Sequence, residues 1–180
     1  MRAGEGSVGP CEGRTTQRNA DNLTPETLRE LLAYEPETGV FRWLQKTSRS
    51  AVGDVAGAVR GRGYLAVCIR GTQHYSHRLA FYWMTGQWPE GVVDHKDGNS
   101  KNNAWSNLRD VSKSVNGQNQ RRPCSTSSTG LLGAHRCRGK FRAAIVVDRL
   151  PIHIGVFDSP ALAHEAYLKA KRELHEGCTI

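Results

Sequence analysis

The sequence lacks three features that would each assign it to a well-defined class. None of its five cysteines, Cys11, Cys68, Cys124, Cys137 and Cys178, falls in a Cys-x-x-Cys pair, so neither a zinc ribbon nor a disulfide framework is predicted. Its apolar runs all fall short of the roughly 18 residues that a membrane-spanning helix needs. The first residues contain no apolar stretch typical of a signal peptide. We therefore expect a cytoplasmic protein with reduced thiols and no membrane contact.

Acidic residues are also scarce. The chain has 25 Lys and Arg against 17 Asp and Glu, which gives a formal net charge of +8. Residues 121–180 alone carry ten basic and five acidic side chains. A basic balance of this kind is typical of proteins that bind a polyanion such as a nucleic acid.

The composition changes along the chain and predicts two folded units. A length of 180 residues suits one ordinary domain or two small ones. Residues 1–22 are polar, show no hydrophobic period and predict a disordered arm. Residues 23–120 form the first predicted unit. Residues 121–130 contain Pro and Gly among polar residues and predict a linker to the second unit, residues 131–180.

Local signals predict helices and strands in the first unit. Thr24 as N-cap, followed by Pro25, predicts a helix start, and a strand is expected from Val40 to Leu44. Two further strands are expected on either side of the glycines 61 and 63. A helix capped by Ser76 and ended by Gly86 should follow.

The stretch "VVDHKDGNSKNNAWSNLRDVSKSVNGQNQ", residues 92–120, holds six asparagines beside one histidine and three aspartates. Two valines lead into Asp94 and His95, which predicts the end of a strand. Asp97-Gly98-Asn99 is a turn signal, and residues 108–110 could form the returning strand. Ser112 predicts an N-cap for a helix that carries Asn116 and Asn119 on one face.

A hairpin packed against this helix would bring His95 near Asn116. Carboxylate and amide oxygens, as on Asp94 and Asn116, suit a hard divalent cation. An imidazole that titrates near neutrality can take a proton from water. The residues therefore predict metal-assisted hydrolysis of a phosphodiester, with Asn119 left open as the alternative to Asn116.

The pattern D-H-x-D-G-x-x-x-N-N-x-x-x-N-L-R, with N-x-x-N downstream, resembles the HNH endonucleases of phages and mobile introns. It is most similar to the subgroup with Asn as the third motif residue, and "HRLAFYWMTG" adds to a resemblance that spans about residues 24–120. This resemblance implies a ββα-metal nuclease core in which Asp94 and Asn116 hold one Mg²⁺ or Mn²⁺. It also implies that His95 is the general base and that Asn107 braces the hairpin and orients the histidine.

The second unit alternates cationic and apolar residues. In "GKFRAAIVV", Lys140 and Arg142 should face one way while Phe141, Ala143 and Ile145 face a helix that starts at Pro160. Residues 129–177 resemble the APETALA2 DNA-binding domain, above all in the run "GVFDSPALAHEAY". The resemblance implies a three-stranded antiparallel sheet plus one helix. The predicted fold class is thus α+β, with the nuclease core followed by this small sheet-and-helix unit.

Double-stranded DNA is the predicted partner, bound by a monomer. The predicted DNA contacts are Arg60, Arg62, His77, Arg78, Arg109, Arg136, Arg138, Lys140 and Arg142. A capping or packing role is the alternative for His77. We also expect His135 to lie on the exposed basic face of the second unit.

The leading hypothesis is a DNA endonuclease of the phage or homing type, acting in a bacterial or phage-infected cell. It should leave 5′-phosphate and 3′-hydroxyl ends. The alternative is a DNA-binding regulator with a degenerate nuclease fold, and a third hypothesis is an RNA-binding structural protein.

Overall fold

The computed structural model describes residues 23–61 and 63–180. The predicted arm at 1–22 and the predicted DNA contact Arg62 lie outside the described residues. The described part is a mixed α+β structure with small antiparallel sheets and four α-helices. Within that part, none of the helices has the length and apolar character needed to cross a membrane.

The first unit opens with helix α1, Pro25–Leu31. The side chain of Thr24 accepts a hydrogen bond from the backbone N–H of Thr27, as predicted for the N-cap. The helix ends earlier than the run of leucines indicates, because Leu32–Glu35 forms strand β1. β1 pairs antiparallel with β2, Val40–Trp43. Leu32 and Tyr34 are buried alternately in β1, which is the two-residue period of a half-buried strand.

A three-stranded sheet follows, built from β3 (Ala58–Arg60), β4 (Tyr64–Ile69) and β5 (Thr72–Tyr75), with β4 in the centre. The sequence predicted only β3 and β4, since "TQHY" is too polar to signal a strand. Helix α2, Ser76–Thr85, has Tyr75 rather than Ser76 at its N-cap. It ends at Gly86, whose φ of 74° lets its N–H reach the Tyr82 carbonyl.

The asparagine-rich stretch forms a hairpin followed by a helix. Strand β6, Val92–His95, pairs antiparallel with β7, Leu108–Val111, after a short 3₁₀ turn at Trp105–Asn107. Helix α3, Lys113–Gln118, begins with the Ser112 side chain accepting from the Val115 N–H. Both strands and the helix cap agree with the sequence-based prediction.

One core supports both the N-terminal elements and the hairpin. Val93 of β6 and Leu108 of β7 are buried in a single hydrophobic cluster with residues of α1, β1, β2, β4 and α2. That cluster includes Leu28, Leu32, Phe41, Val67 and Leu79. The β6–β7 hairpin therefore packs on this core, which limits its movement.

The second unit is a three-stranded antiparallel sheet with one helix. Its strands are β8 (Ala134–Cys137), β9 (Lys140–Val147) and β10 (Leu150–Phe157), with β9 in the centre. Helix α4, Pro160–Leu174, packs on all three strands. Ala143 of β9 and Ala163 of α4 are fully buried between the sheet and the helix.

The register corrects one prediction about the basic face. Arg142 pairs with His135, whereas Arg136 pairs with Phe141. Because cross-strand partners share a face, Arg136 lies on the helix side of the sheet, where its guanidinium lies 5.7 Å from the Phe141 ring centroid. His135 and Arg136 are adjacent in one strand and cannot both join Lys140 and Arg142.

Candidate active site

A polar cleft of about 710 Å³ lies where β6 meets α3. Asp94 and His95 enter it from the end of β6, and Asn116 enters it from α3. Asn119, Tyr64, Arg121 and Arg122 also line it. Three of the four residues predicted from the sequence as catalytic or metal-binding thus line one cavity. The fourth, Asn107, lies behind it in the hairpin.

Asp94 is buried, with 7% of its surface exposed. Its Oδ2 accepts from Arg109 Nε at 3.0 Å and from Arg109 Nη2 at 2.8 Å. Asp94 and Arg109 are directly paired across β6 and β7, so the hairpin register itself supplies the partner that a buried carboxylate requires. Oδ1 accepts from Asn119 Nδ2 at 3.2 Å. This oxygen has the capacity to accept a further ligand from the cleft.

The two candidate asparagines of α3 differ in their contacts. Asn119 is buried, and its Nδ2 donates to Asp94 and to the His95 carbonyl at 3.0 Å. Its Oδ1 accepts from the Thr179 hydroxyl. Asn116 is half-buried and lines the cleft. The amide oxygen of Asn119 thus already accepts one hydrogen bond on the side of Thr179, whereas the Asn116 side chain lines the cleft.

His95 is held by Asn103, a residue of the asparagine-rich loop. Its Nε2 lies 3.0 Å from Asn103 Oδ1, and the Asn103 carbonyl accepts from the Tyr34 hydroxyl at 2.7 Å. Because an amide oxygen only accepts, this contact favours the tautomer of the neutral imidazole that has its proton on Nε2 and its lone pair on Nδ1. Asn103 is 1% exposed, so the ring orientation is fixed by a buried partner.

Asn107 braces the loop and has no hydrogen bond to His95 among the described residues. Its Oδ1 accepts from the Asp97 N–H at 3.0 Å, and its Nδ2 donates to Asp97 Oδ1 at 3.0 Å and to the Asn102 carbonyl at 2.8 Å. Burial acts to raise the pKa of Asp97, but hydrogen bonds from Asn99, Asn102 and Asn107 outweigh it and lower that pKa. The loop thus closes around an ionised carboxylate.

His77 lies behind the site. It is 8% exposed, and its ring centroid is 5.2 Å from that of His95 and 5.2 Å from that of Tyr64. Burial, with smaller effects from His95 and Arg78, lowers the pKa of His77 to about 3. A neutral, buried imidazole is not placed to contact phosphate in this structure, so the packing alternative describes its position better.

The remaining predicted DNA contacts fall into three groups. Arg60, Arg136, Arg138, Lys140 and Arg142 are exposed. Arg78 is half-buried, with its guanidinium 6.0 Å from the Trp88 ring centroid. Arg109 is engaged by Asp94 and by the Gly177 carbonyl, so it supports the cleft rather than forming an outer surface.

The donor set at the cleft suits a hard divalent cation. Within residues 23–61 and 63–180, no cluster of three or more His, Cys, Asp or Glu side chains could hold a metal ion. Zinc, which takes three or four nitrogen or sulfur ligands, therefore has no matching set there. One carboxylate and one amide oxygen suit Mg²⁺, which keeps several waters and uses few protein ligands.

Comparisons with known proteins give a family match and a similar solved structure. Residues 74–118 match the family model described as HNH endonuclease, and no curated protein matches the chain. A solved structure described as "DNA binding and cleavage by the HNH homing endonuclease I-HmuI" is similar at 23% identity. It covers 81% of this chain and 88% of that chain, with a TM-score of 0.41. The family match shows that residues 74–118 are similar to the HNH endonucleases, and it applies to that segment rather than to the whole chain.

Proposed function

We propose that this chain is a metal-dependent endonuclease of double-stranded DNA, of the phage or homing type. The observation that carries the proposal is one polar cleft, within the segment that matches the HNH endonuclease family, lined by Asp94, His95 and Asn116. A buried imidazole beside a buried carboxylate and a half-buried amide is a combination that suits metal-assisted hydrolysis of a phosphodiester.

In this proposal Asp94 and Asn116 hold one Mg²⁺ or Mn²⁺. Asp94 offers Oδ1, because Arg109 occupies only Oδ2. Asn116 is favoured over Asn119 because the Asn119 amide is bonded on both sides, to Asp94 and to Thr179. When bound, the cation would neutralise charge on the scissile phosphate and on the departing 3′ oxygen.

His95 takes a proton from the attacking water through Nδ1, while Asn103 keeps the other ring nitrogen protonated. Asn107 holds the loop that carries Asn103 and orients the histidine only through that loop. Attack of water forms a bond to phosphorus and breaks the bond from phosphorus to the 3′ oxygen, which takes a proton from solvent, so 5′-phosphate and 3′-hydroxyl ends result. No covalent intermediate with the protein is required.

DNA is bound by both units in this proposal. Arg60 and Arg78 contribute from the first unit. We propose that residues 131–180 act as an APETALA2-like unit through the open sheet face, where His135, Lys140 and Arg142 are exposed. Exposed cationic side chains on a sheet suit contact with phosphates and with the major groove.

The proposal is tested by incubating supercoiled plasmid with the full chain and Mg²⁺ or Mn²⁺, with and without EDTA. Nicked or linear DNA that is lost on chelation is expected. His95→Ala should lower the rate by about 100-fold or more and retain DNA binding in a gel-shift assay. Lys169→Ala, at an exposed position on α4, serves as the control and should cut normally. DNA binding without any cleavage would instead support the regulator hypothesis.

A further inference from the structure

The residues after α4 return to the back of the cleft. We call Gly177–Ile180 the return segment. The Gly177 carbonyl accepts from Arg109 Nη2 at 2.7 Å, and the same nitrogen donates to Asp94 Oδ2 at 2.8 Å. The Gly177 N–H donates to Gln118 Oε1 at 2.9 Å. The return segment therefore joins the guanidinium that holds Asp94 to helix α3.

Thr179 makes a second link to Asp94. Its hydroxyl lies within hydrogen-bond distance of Asn119 Oδ1 and of the Lys96 carbonyl. Arg121 Nη2 donates to the same hydroxyl at 2.6 Å and to the Thr179 carbonyl at 2.8 Å. The hydroxyl has one proton, and donating it to Asn119 Oδ1 fixes which way that amide is turned, while Arg121 Nη2 donates to the Lys96 carbonyl at 2.7 Å. Nδ2 must then face Asp94 and the His95 carbonyl.

The return segment packs so closely against α3 that position 177 requires glycine. A Cβ there would lie 2.2 Å from the Val115 carbonyl oxygen and 2.9 Å from Gln118 Cβ. The first of these is backbone in α3 and cannot yield as a flexible side chain would. This close contact with the backbone of α3 shows that the return segment is tightly packed.

We propose that Gly177 and Thr179 are positioning residues for the nuclease site. They hold Asp94 in place through Arg109 and Asn119, so the unit that carries the basic sheet also completes the support of the cleft. This inference rests on the proposed function. It adds that residues 131–180 are needed for metal binding and cleavage, and not only for affinity toward DNA.

Two pairs of variants of the full chain test the inference. Thr179→Val removes the hydroxyl and keeps the shape, while Thr179→Ser keeps the hydroxyl. Gly177→Ala introduces the clash, while Gly117→Ala adds a Cβ that meets nothing within 4 Å. Each is measured for Mn²⁺ affinity without DNA, for single-turnover cleavage of saturating plasmid, for DNA affinity in EDTA and for melting temperature.

Thr179→Val should weaken Mn²⁺ binding and slow cleavage by about 10-fold or more, as loss of a supporting hydrogen bond behind a metal ligand does. Its DNA affinity and melting temperature should stay near those of the unaltered chain. Thr179→Ser should restore both losses. Gly177→Ala should repeat them, and Gly117→Ala should not.

Unchanged Mn²⁺ affinity and cleavage in Thr179→Val would overturn the inference, as would equal losses in Thr179→Ser. The two Thr179 variants decide the outcome even if Gly177→Ala does not fold. Failure of the unaltered chain to cut plasmid would refute the proposed function. In that case the Mn²⁺ titration alone still decides whether Thr179 supports the cation site.

Discussion

At the scale of single residues, Asn103 contributes more to the site than its place in an asparagine-rich loop indicates. It joins the His95 ring to the Tyr34 hydroxyl, through its side chain and its carbonyl respectively. Burial raises the pKa of Tyr34 to about 12, so the phenol remains a hydrogen-bond donor at all ordinary pH. The chain His95–Asn103–Tyr34 thus fixes the ring from the side away from the cleft.

We predict that Asn103→Ala slows cleavage by about 10- to 100-fold, the usual effect of losing the partner that orients a reactive imidazole. DNA binding should be unaffected, because Asn103 is buried away from the surface. Single-turnover rates and gel shifts would measure both quantities. Ser106→Ala, at an exposed position of the 3₁₀ turn, is the matched control and should cut faster than Asn103→Ala. Equal rates for the two variants would remove Asn103 from the proposed mechanism.

His77 makes stability depend on pH. Its pKa is lowered to about 3, mainly by burial, whereas an unfolded histidine titrates near 6.5. Between these values the unfolded chain binds a proton that the folded chain does not, so stability falls as the pH drops through this window. The slope from this group approaches about 1.4 kcal/mol per pH unit.

We predict that His77→Phe, which keeps a ring among Tyr64 and Tyr75, removes this slope. Urea unfolding at pH 7 and pH 4.5 would compare the two proteins, and titrations that they share cancel in the difference. His77→Phe should gain stability relative to the parent on acidification. A difference that does not change with pH would show that His77 is protonated in the folded state too.

Residues bonded across strands could not be found by reading along the chain. Asp94, His95 and Asn116 stand out because their types and spacing have a direct chemical meaning. The Asp94–Arg109 pair depends on the register of β6 and β7, and the orientation of Asn119 depends on Thr179, 60 residues further on. Neither the Asp94–Arg109 pair nor the orientation of Asn119 can be predicted from local sequence.

At the scale of elements, the parts with local start and stop signals were predicted well. Thr24, Ser112 and Ser159 all act as N-caps through their side chains. Strands β1 and β5 were missed because pairing with β2 and β4 outweighs the helical and polar character of their residues. The error at Arg136 came from assigning adjacent residues to one face of a strand.

The turn between β1 and β2 packs tightly against the loop that carries Asn103. Gly39 has φ of +75°, and a Cβ there would lie 2.1 Å from the Asn103 carbonyl carbon. The Trp105 N–H also donates to the Pro36 carbonyl at 2.8 Å. The N-terminal hairpin therefore supports the loop that carries Asn103.

We predict that Gly39→Ala destabilises the chain well beyond Gly53→Ala. Both glycines have positive φ, so both variants incur a backbone strain of about 1–2 kcal/mol. Only at Gly39 does the new methyl group overlap backbone, because a Cβ at Gly53 meets nothing within 4 Å. Chemical denaturation would measure the difference. Equal losses for both variants would mean that the loop moves aside freely.

At the scale of the whole molecule, the two predicted units are connected by more than residues 121–130. Lys171 of α4 is 1% exposed and donates to the Gln120 carbonyl, and burial lowers its pKa. Arg121 reaches both the Lys96 carbonyl and Thr179. The described contacts therefore join the cleft to the unit that carries the basic sheet.

The last prediction concerns the charge of the open sheet face that carries Lys140 and Arg142. Lys140 is 2.9 Å from Asp158, so part of its charge is compensated, whereas exposed Arg142 has no ion pair among the described residues. If Arg142 binds a phosphate, Arg142→Ala should weaken DNA binding and reduce the slope of log affinity against log salt by about 0.9. Lys169→Ala changes the net charge equally from the exposed helix, and its slope should stay that of the parent. Measuring both slopes in EDTA keeps cleavage out of the titration. A loss of slope shared by the two variants would assign the effect to total charge, and an unchanged slope in Arg142→Ala would place the DNA elsewhere on the protein.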